Sequence, residues 1–168
     1  QKLGIISRVH GVTFVGLSAL YPILSKMCLS LLHCTPTGYV YALKVANGEE
    51  VWQVREGTGV QSSLAVDGDR LYFGNWDGHL YSMSRKTGEK RWRFRTGNQI
   101  FASPVVIEDR VFVASYDGRV YGVDRERGVE VWRFETRKPI FASPSLAGDR
   151  LYVGGQDKKL YVLDTRSG

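Results

Sequence analysis

From Gly38 onward, short apolar runs alternate with turn-forming clusters in a fixed rhythm. One unit reads "IFASPVVI" (Ile100–Ile107), a Glu-Asp turn, "RVFVAS" (Arg110–Ser115), Tyr-Asp-Gly, "RVYGVD" (Arg119–Asp124), a polar turn ending at Gly128, and "VEVWRFET" (Val129–Thr136). β-Branched and aromatic runs bounded by Gly and Asp predict four strands in this unit. Asp-Gly is a hairpin signal because Gly tolerates positive φ and Asp bonds its own backbone. The runs are nearly continuously apolar, as expected for strands covered on both faces.

The unit recurs without insertion or deletion. Trp52, Trp92 and Trp132 are spaced by 40 residues, and so are Gly48, Gly88, Gly128 and Gly168. Tyr41, Tyr81, Tyr121 and Tyr161 keep the same interval, as do Asp77, Asp117 and Asp157. Four antiparallel strands in such a period match one blade of a propeller. The expected fold is therefore an all-β, incomplete β-propeller of four-stranded antiparallel blades, with about three to four blades present. The units fall near 38–60, 61–100, 101–140 and 141–168, the last one truncated. The tryptophan, four residues after its turn glycine on the outermost strand, is expected to lay its ring between adjacent blades. Trp52, Trp92 and Trp132 with Gly48, Gly88 and Gly128 are thus read as structural docking residues.

Residues 1–37 break the pattern. The stretch from Gly11 to Cys34 is largely apolar, interrupted by Pro22 and Lys26. With Lys2 and Arg8 as a positive flank it reads as a signal or membrane anchor, and Val12–Leu24 suits a signal segment better than a spanning helix. A divergent start of the first blade is the other reading.

Composition and charge narrow the function classes. The chain has 168 residues, with 19 Gly, 9 Tyr, 7 Phe and 4 Trp, which favours strands and tight turns. Of the 23 Lys and Arg, only Lys2, Arg8, Lys26 and Lys44 precede the first acid, so the formal net charge of +6 is +4 before residue 49 and +2 from residue 49 onward. The repeated part is nearly balanced, which argues against nucleic-acid binding. Cys28 and Cys34, with His33 between them, match no zinc spacing, and a disulfide and two free thiols both remain open.

Catalytic motifs are missing from the sequence: it has no Gly-x-Ser-x-Gly, Walker loop, His-Glu-x-x-His or Cys-x-x-Cys. His10 and His33 are isolated, and His79 beside a hairpin turn is expected to be exposed. Asp77, Asp117 and Asp157 read as turn residues, each serving its own blade, rather than as a carboxylate ring. Blade topology puts the loop between blades and the turn joining the second and third strands at one end of the propeller. That end would present Asn98, Gln99, Lys138 and Pro139 from one loop set and Trp76, Tyr116 and Gln156 from the other. These positions differ between registered copies, and Trp76 is the one tryptophan outside the docking position, so they form the candidate binding set.

"ALKVANGEEVW" (Ala42–Trp52), "SMSRKTGEKRW" (Ser82–Trp92) and "GVDRERGVEVW" (Gly122–Trp132) resemble the tryptophan-docking motif Ala-x-Asp-x-x-Thr-Gly-x-x-x-Trp. The motif belongs to the quinoprotein-type, or PQQ-like, β-propeller repeat family. Gly and Trp match in all three copies, whereas Lys44 and Ser84 stand where the family has Asp; Asp124 and Asp164 keep it. Ser103-Pro104 and Ser143-Pro144 resemble the family's inner-strand step. Propellers of the WD40 and kelch kinds fit less well. Family members usually have roughly six to eight blades, about 240 residues or more, so the chain is expected to be a fragment whose remaining blades belong to a longer protein.

The resemblance implies a non-catalytic scaffold of the BamB type, binding protein, peptide or saccharide through its loop face, periplasmic or otherwise in the cell envelope. A cytoplasmic site stays open. One alternative is a piece of a dehydrogenase for alcohols or sugars that uses pyrroloquinoline quinone and calcium. Another is the sensor propeller of a bacterial kinase. The Cys-Cys pair and neighbouring Asp base of the dehydrogenases are not in this sequence, so no cofactor is expected.

Overall fold

The computed structural model describes residues 38–168, together with the backbone of three earlier strands. Two of those, β1 (Arg8–Val9) and β2 (Val12–Thr13), pair antiparallel with each other. The third, β3 (Ser30–Cys34), pairs antiparallel with β4 (Tyr39–Lys44), which in turn pairs with β5 (Glu50–Arg55). The signal or anchor reading, His10, Cys28, and the side chains of His33 and Cys34 lie outside the described residues.

Two complete blades follow. The first is β6 (Ala65–Asp67), β7 (Arg70–Gly74), β8 (His79–Ser84) and β9 (Lys90–Arg95). The second is β10 (Val105–Ile107), β11 (Arg110–Ala114), β12 (Arg119–Asp124) and β13 (Glu130–Glu135). A three-stranded sheet of β14 (Ser145–Ala147), β15 (Arg150–Gly154) and β16 (Leu160–Asp164) ends the chain. In every sheet sequential strands are neighbours and antiparallel, the meander of a propeller blade.

Two details bear on the sequence reading. β3 stands where β7, β11 and β15 stand, 40 residues earlier than β7, so the blade register reaches back into the segment set apart as 1–37. The inner strand, expected over Ile100–Ile107, is a ladder only over Val105–Ile107. Ahead of it, backbone donors go to side chains of the next blade: Ser63 N–H donates to Ser103 Oγ and Ser103 N–H to Ser143 Oγ, both at 2.8 Å. Pro104 has no N–H to give, so the chain cannot enter the ladder sooner.

The core is a series of layers between blades. Val40, Val60, Leu71, Phe73, Tyr81 and Met83 fill the first gap, and Tyr72, Leu80, Ile100, Val111, Val113, Tyr121 and Val123 the second. Phe112, Val120, Ile140, Leu151 and Trp132 belong to the third. Alternate residues of a strand point to opposite blades, which explains the unbroken apolar runs: Leu71 and Phe73 face backward and Tyr72 forward.

Each tryptophan closes one gap. Trp52 Nε1–H donates to the Arg85 carbonyl at 3.0 Å, Trp92 to Arg125 at 2.9 Å and Trp132 to Thr165 at 3.1 Å. The rings lie against the turn glycines of the following blade: a Cβ on Gly88 would meet Trp52 at 2.8 Å, and one on Gly128 would meet Trp92 at 2.5 Å. Gly48, Gly88 and Gly128 all have positive φ, at 73°, 72° and 67°, so the turn needs glycine for its backbone as well as for the ring above it. A register shift opposite each tryptophan, at Ala42/Leu43, Ser82/Met83 and Gly122/Val123, marks a bulge that tips the outer strand toward the next blade.

Candidate binding face

At the end of the blades away from the docking glycines, three hairpin turns among the described residues each hold the loop that enters their own blade. Trp76 N–H donates to Gly59 O at 3.0 Å, Tyr116 N–H to Gln99 O at 2.9 Å, and Gln156 N–H to Pro139 O at 3.3 Å. These bonds are made by backbone, so the side chains at 76, 116 and 156 carry none of that duty.

The aspartates reinforce the same joints. Asp77 accepts from Thr58 N–H at 2.8 Å and Thr58 Oγ1–H at 2.7 Å, and Asp117 accepts from Gly97 N–H at 2.7 Å and Tyr121 O–H at 2.6 Å. Asp157 accepts from Tyr161 O–H and from Lys159 N–H. Beyond its own turn, Asp77 or Asp117 thus also holds the loop that leads into its blade. Bonding to Thr58 holds the Asp77 carboxyl below its ordinary pKa, and the Tyr161 hydroxyl does the same for Asp157. Burial, followed by the bond to Asp117, pushes the Tyr121 hydroxyl up to about 12.

His79 is half-buried, not exposed as expected. Its ring is tilted against Tyr81 at 5.9 Å, and burial, followed by Arg93 and Arg95, lowers its pKa.

The candidate residues separate into three places around this end. Trp76 stands by the first loop, 37 % exposed. Asn98, exposed, and Gln99, half-buried, flank Tyr116, and exposed Lys138 lies next to Pro139 and Gln156. Two residues missed by sequence reasoning join the last two places. Phe101 and Phe141 stack at 5.0 Å between ring centroids, and Tyr116 meets Phe141 edge-on at 4.9 Å and Phe101 at 5.9 Å. Phe141 remains 45 % exposed. Their signal was Gln61, which occupies the same place in the preceding copy and would not be tolerated in a core.

Among the described residues no three His, Cys, Asp or Glu side chains converge as a metal site. Asp77, Asp117 and Asp157 sit on separate hairpins with their oxygens engaged locally, so they do not form a calcium cradle for a quinone cofactor. The arrangement offers instead a rigid rim of aromatic and amide side chains.

The comparisons agree with the repeat. No curated protein matches the chain. Among solved structures it is similar to BamB from Moraxella catarrhalis, with a TM-score of 0.77 and 23 % identity over 84 % of this chain and 45 % of that one. It is similar also to the computationally designed Ika8 protein (TM-score 0.75, 16 % identity, 83 % of this chain and 44 % of that). A third is the quinohemoprotein alcohol dehydrogenase ADHIIG from Pseudomonas putida HK5 (TM-score 0.71, 19 % identity, 83 % of this chain and 31 % of that). The chain spans less than half the length of each, and these likenesses speak to the fold. The family model described as outer membrane protein assembly factor BamB matches residues 36–168, and the chain belongs to this PQQ-like repeat family.

Proposed function

We propose that the protein is a non-catalytic propeller scaffold that engages a protein or peptide through its loop face in the assembly of cell-envelope proteins. The observation that carries this reading is the ring cluster of half-buried Phe101 and Tyr116 with exposed Phe141, on a rim fixed by recurrent backbone bonds. Aromatic side chains on a rigid frame supply contact area at little entropic cost, the usual profile of a binding hot spot. Membership of a family described by outer-membrane assembly supports the cell-envelope setting.

The test is photo-crosslinking in cells from a reactive residue placed at Trp76 or Tyr116, against the same residue at Lys86 or Arg127 on the opposite end. Adducts with protein from the first pair and none from the second are expected. Adducts confined to Lys86 and Arg127 would overturn the reading. The dehydrogenase alternative makes a separate demand: intact protein given pyrroloquinoline quinone and calcium should oxidise alcohols or sugars with an artificial dye. Dye reduction would replace the scaffold with an enzyme.

A further inference from the structure

The loop face is uneven in charge. The first two loops are neutral between strand and ring cluster, Gly57-Thr58-Gly59 and Gly97-Asn98-Gln99, whereas the third is Arg137-Lys138-Pro139. The hairpin bonded to that third loop through Gln156 and Pro139 carries Lys158 and Lys159, where the earlier hairpins have Gly78-His79 and Gly118-Arg119. Arg137, Lys138, Lys158 and Lys159 are all exposed, and none forms an ion pair within the described residues. Arg119, by contrast, is paired with Glu135. The one carboxylate on the same hairpin, Asp157, accepts from Tyr161 O–H and Lys159 N–H and offsets part of the Lys159 charge, which leaves the group with a net positive excess.

Three residues along the chain from Lys138 stands Phe141, stacked on Phe101 and capped by Tyr116. An aromatic shelf therefore borders four exposed cations set against a single neighbouring carboxylate. We propose that this junction binds an acidic protein segment that lays one large apolar or aromatic side chain on Phe101, Tyr116 and Phe141 while its carboxylates face Arg137, Lys138, Lys158 and Lys159. The inference rests on the loop-face reading above and adds the partner's chemistry.

Charge complementarity singles out this occupant. A duplex nucleic acid or an anionic bilayer presents uniform negative charge over a wide area, and the rest of the face would set Asp77 and Asp117 against it. The cations are confined to one loop and one hairpin, a span suited to a few carboxylates beside an anchor. Exposed charges of this kind steer encounter and choose partners, while the aromatic shelf supplies the bulk of the affinity.

The experiment uses intact protein and a fluorescein-labelled synthetic peptide, one tryptophan flanked by aspartates, read by anisotropy. Replacing its tryptophan by serine, or its aspartates by asparagines, should weaken binding roughly tenfold each. The double variant R137E/K138E should lose about tenfold, and added salt should erase the difference. K86E/R127E, which changes net charge equally at the opposite end, should bind like the parent. Equal affinity for the asparagine peptide, or unchanged affinity of R137E/K138E, would overturn the proposal, as would binding of anionic vesicles or duplex DNA in preference to the peptide. A random peptide library panned on the protein separates the two readings. Enriched peptides that need Phe141 but carry no acids defeat this inference and leave the scaffold standing; peptides indifferent to Phe141 and Trp76 alike defeat both.

Discussion

The two ends of the blades are built from the same repeat, yet they keep different parts of it. At the docking end the constant element is a side chain: three indoles reach three carbonyls at 3.0, 2.9 and 3.1 Å, each over a glycine of the next blade. At the loop end the constant elements are backbone bonds and an aspartate, while the position between them changes from Trp76 to Tyr116 to Gln156. Where a side chain does the joining, its identity is fixed. Where the backbone does it, the side chain is released, and a propeller can vary its surface without loosening its blades.

The largest effect should come from removing a docking indole. Trp92→Ala strips the ring that contacts Gly128 and the bond to Arg125, and is expected to cost roughly 3 kcal/mol in urea unfolding, the low end of the range for a buried aromatic because the ring is partly buried. A loss below about 1 kcal/mol would show that the docking end carries no special burden. Two glycines sharpen the point. Gly128 and Gly68 both have positive φ, 67° and 57°, but an added Cβ meets Trp92 at 2.5 Å in the first and nothing within 4 Å in the second. Gly68→Ala should cost about 1 kcal/mol, from backbone strain alone, and Gly128→Ala about 2 to 3 kcal/mol, the excess measuring the contact between blades. Equal costs would deny that contact.

At the loop end Asp77→Asn tests the joint that does not depend on a tryptophan. Its bonds from Thr58 predict a loss on the order of 1 kcal/mol at neutral pH. The folded pKa of Asp77 is depressed, so the carboxylate's contribution is complete above its unfolded value of about 3.9 and disappears as pH falls through the folded value. Thermal unfolding of parent and variant should therefore differ at pH 7 and converge in stronger acid. A difference that persists there would assign the effect to the loss of shape and not of charge.

The propeller was legible in the sequence because every blade must bury both faces against copies of itself, which forces apolar strands and turn glycines to recur in register. Trp92 and Gly128 announced themselves in that way. Features that depend on where backbone donors go were less visible. The Ser103-Pro104 step looked like strand, and only the bonds to Ser143 and from Ser63 show the chain running outside the ladder. In sequence Phe101 reads only as part of the Ile100–Ile107 strand; between buried Ile100 and Ala102 the loop leaves it half-buried against Phe141. Likewise β3 lacks the Asp-Gly punctuation of its counterparts: Thr37-Gly38 takes the place of Asp77-Gly78, so its blade register emerges from the pairing with β4.

The smallest expected effect on stability, and the one that bears most on function, is at Trp76. Its backbone N–H bond to Gly59 survives any substitution except proline, and its ring is 37 % exposed with no aromatic partner among the described residues. Trp76→Ala should therefore shift the unfolding midpoint by less than the equivalent of about 1 kcal/mol, against several for Trp92→Ala. The same change should lower the yield of adducts in cells from a crosslinker at Tyr116 if the rim binds as one surface. A large loss of stability would mean that Trp76 joins blades as its three counterparts do, and the contrast between the two ends would fail at the residue where it is sharpest.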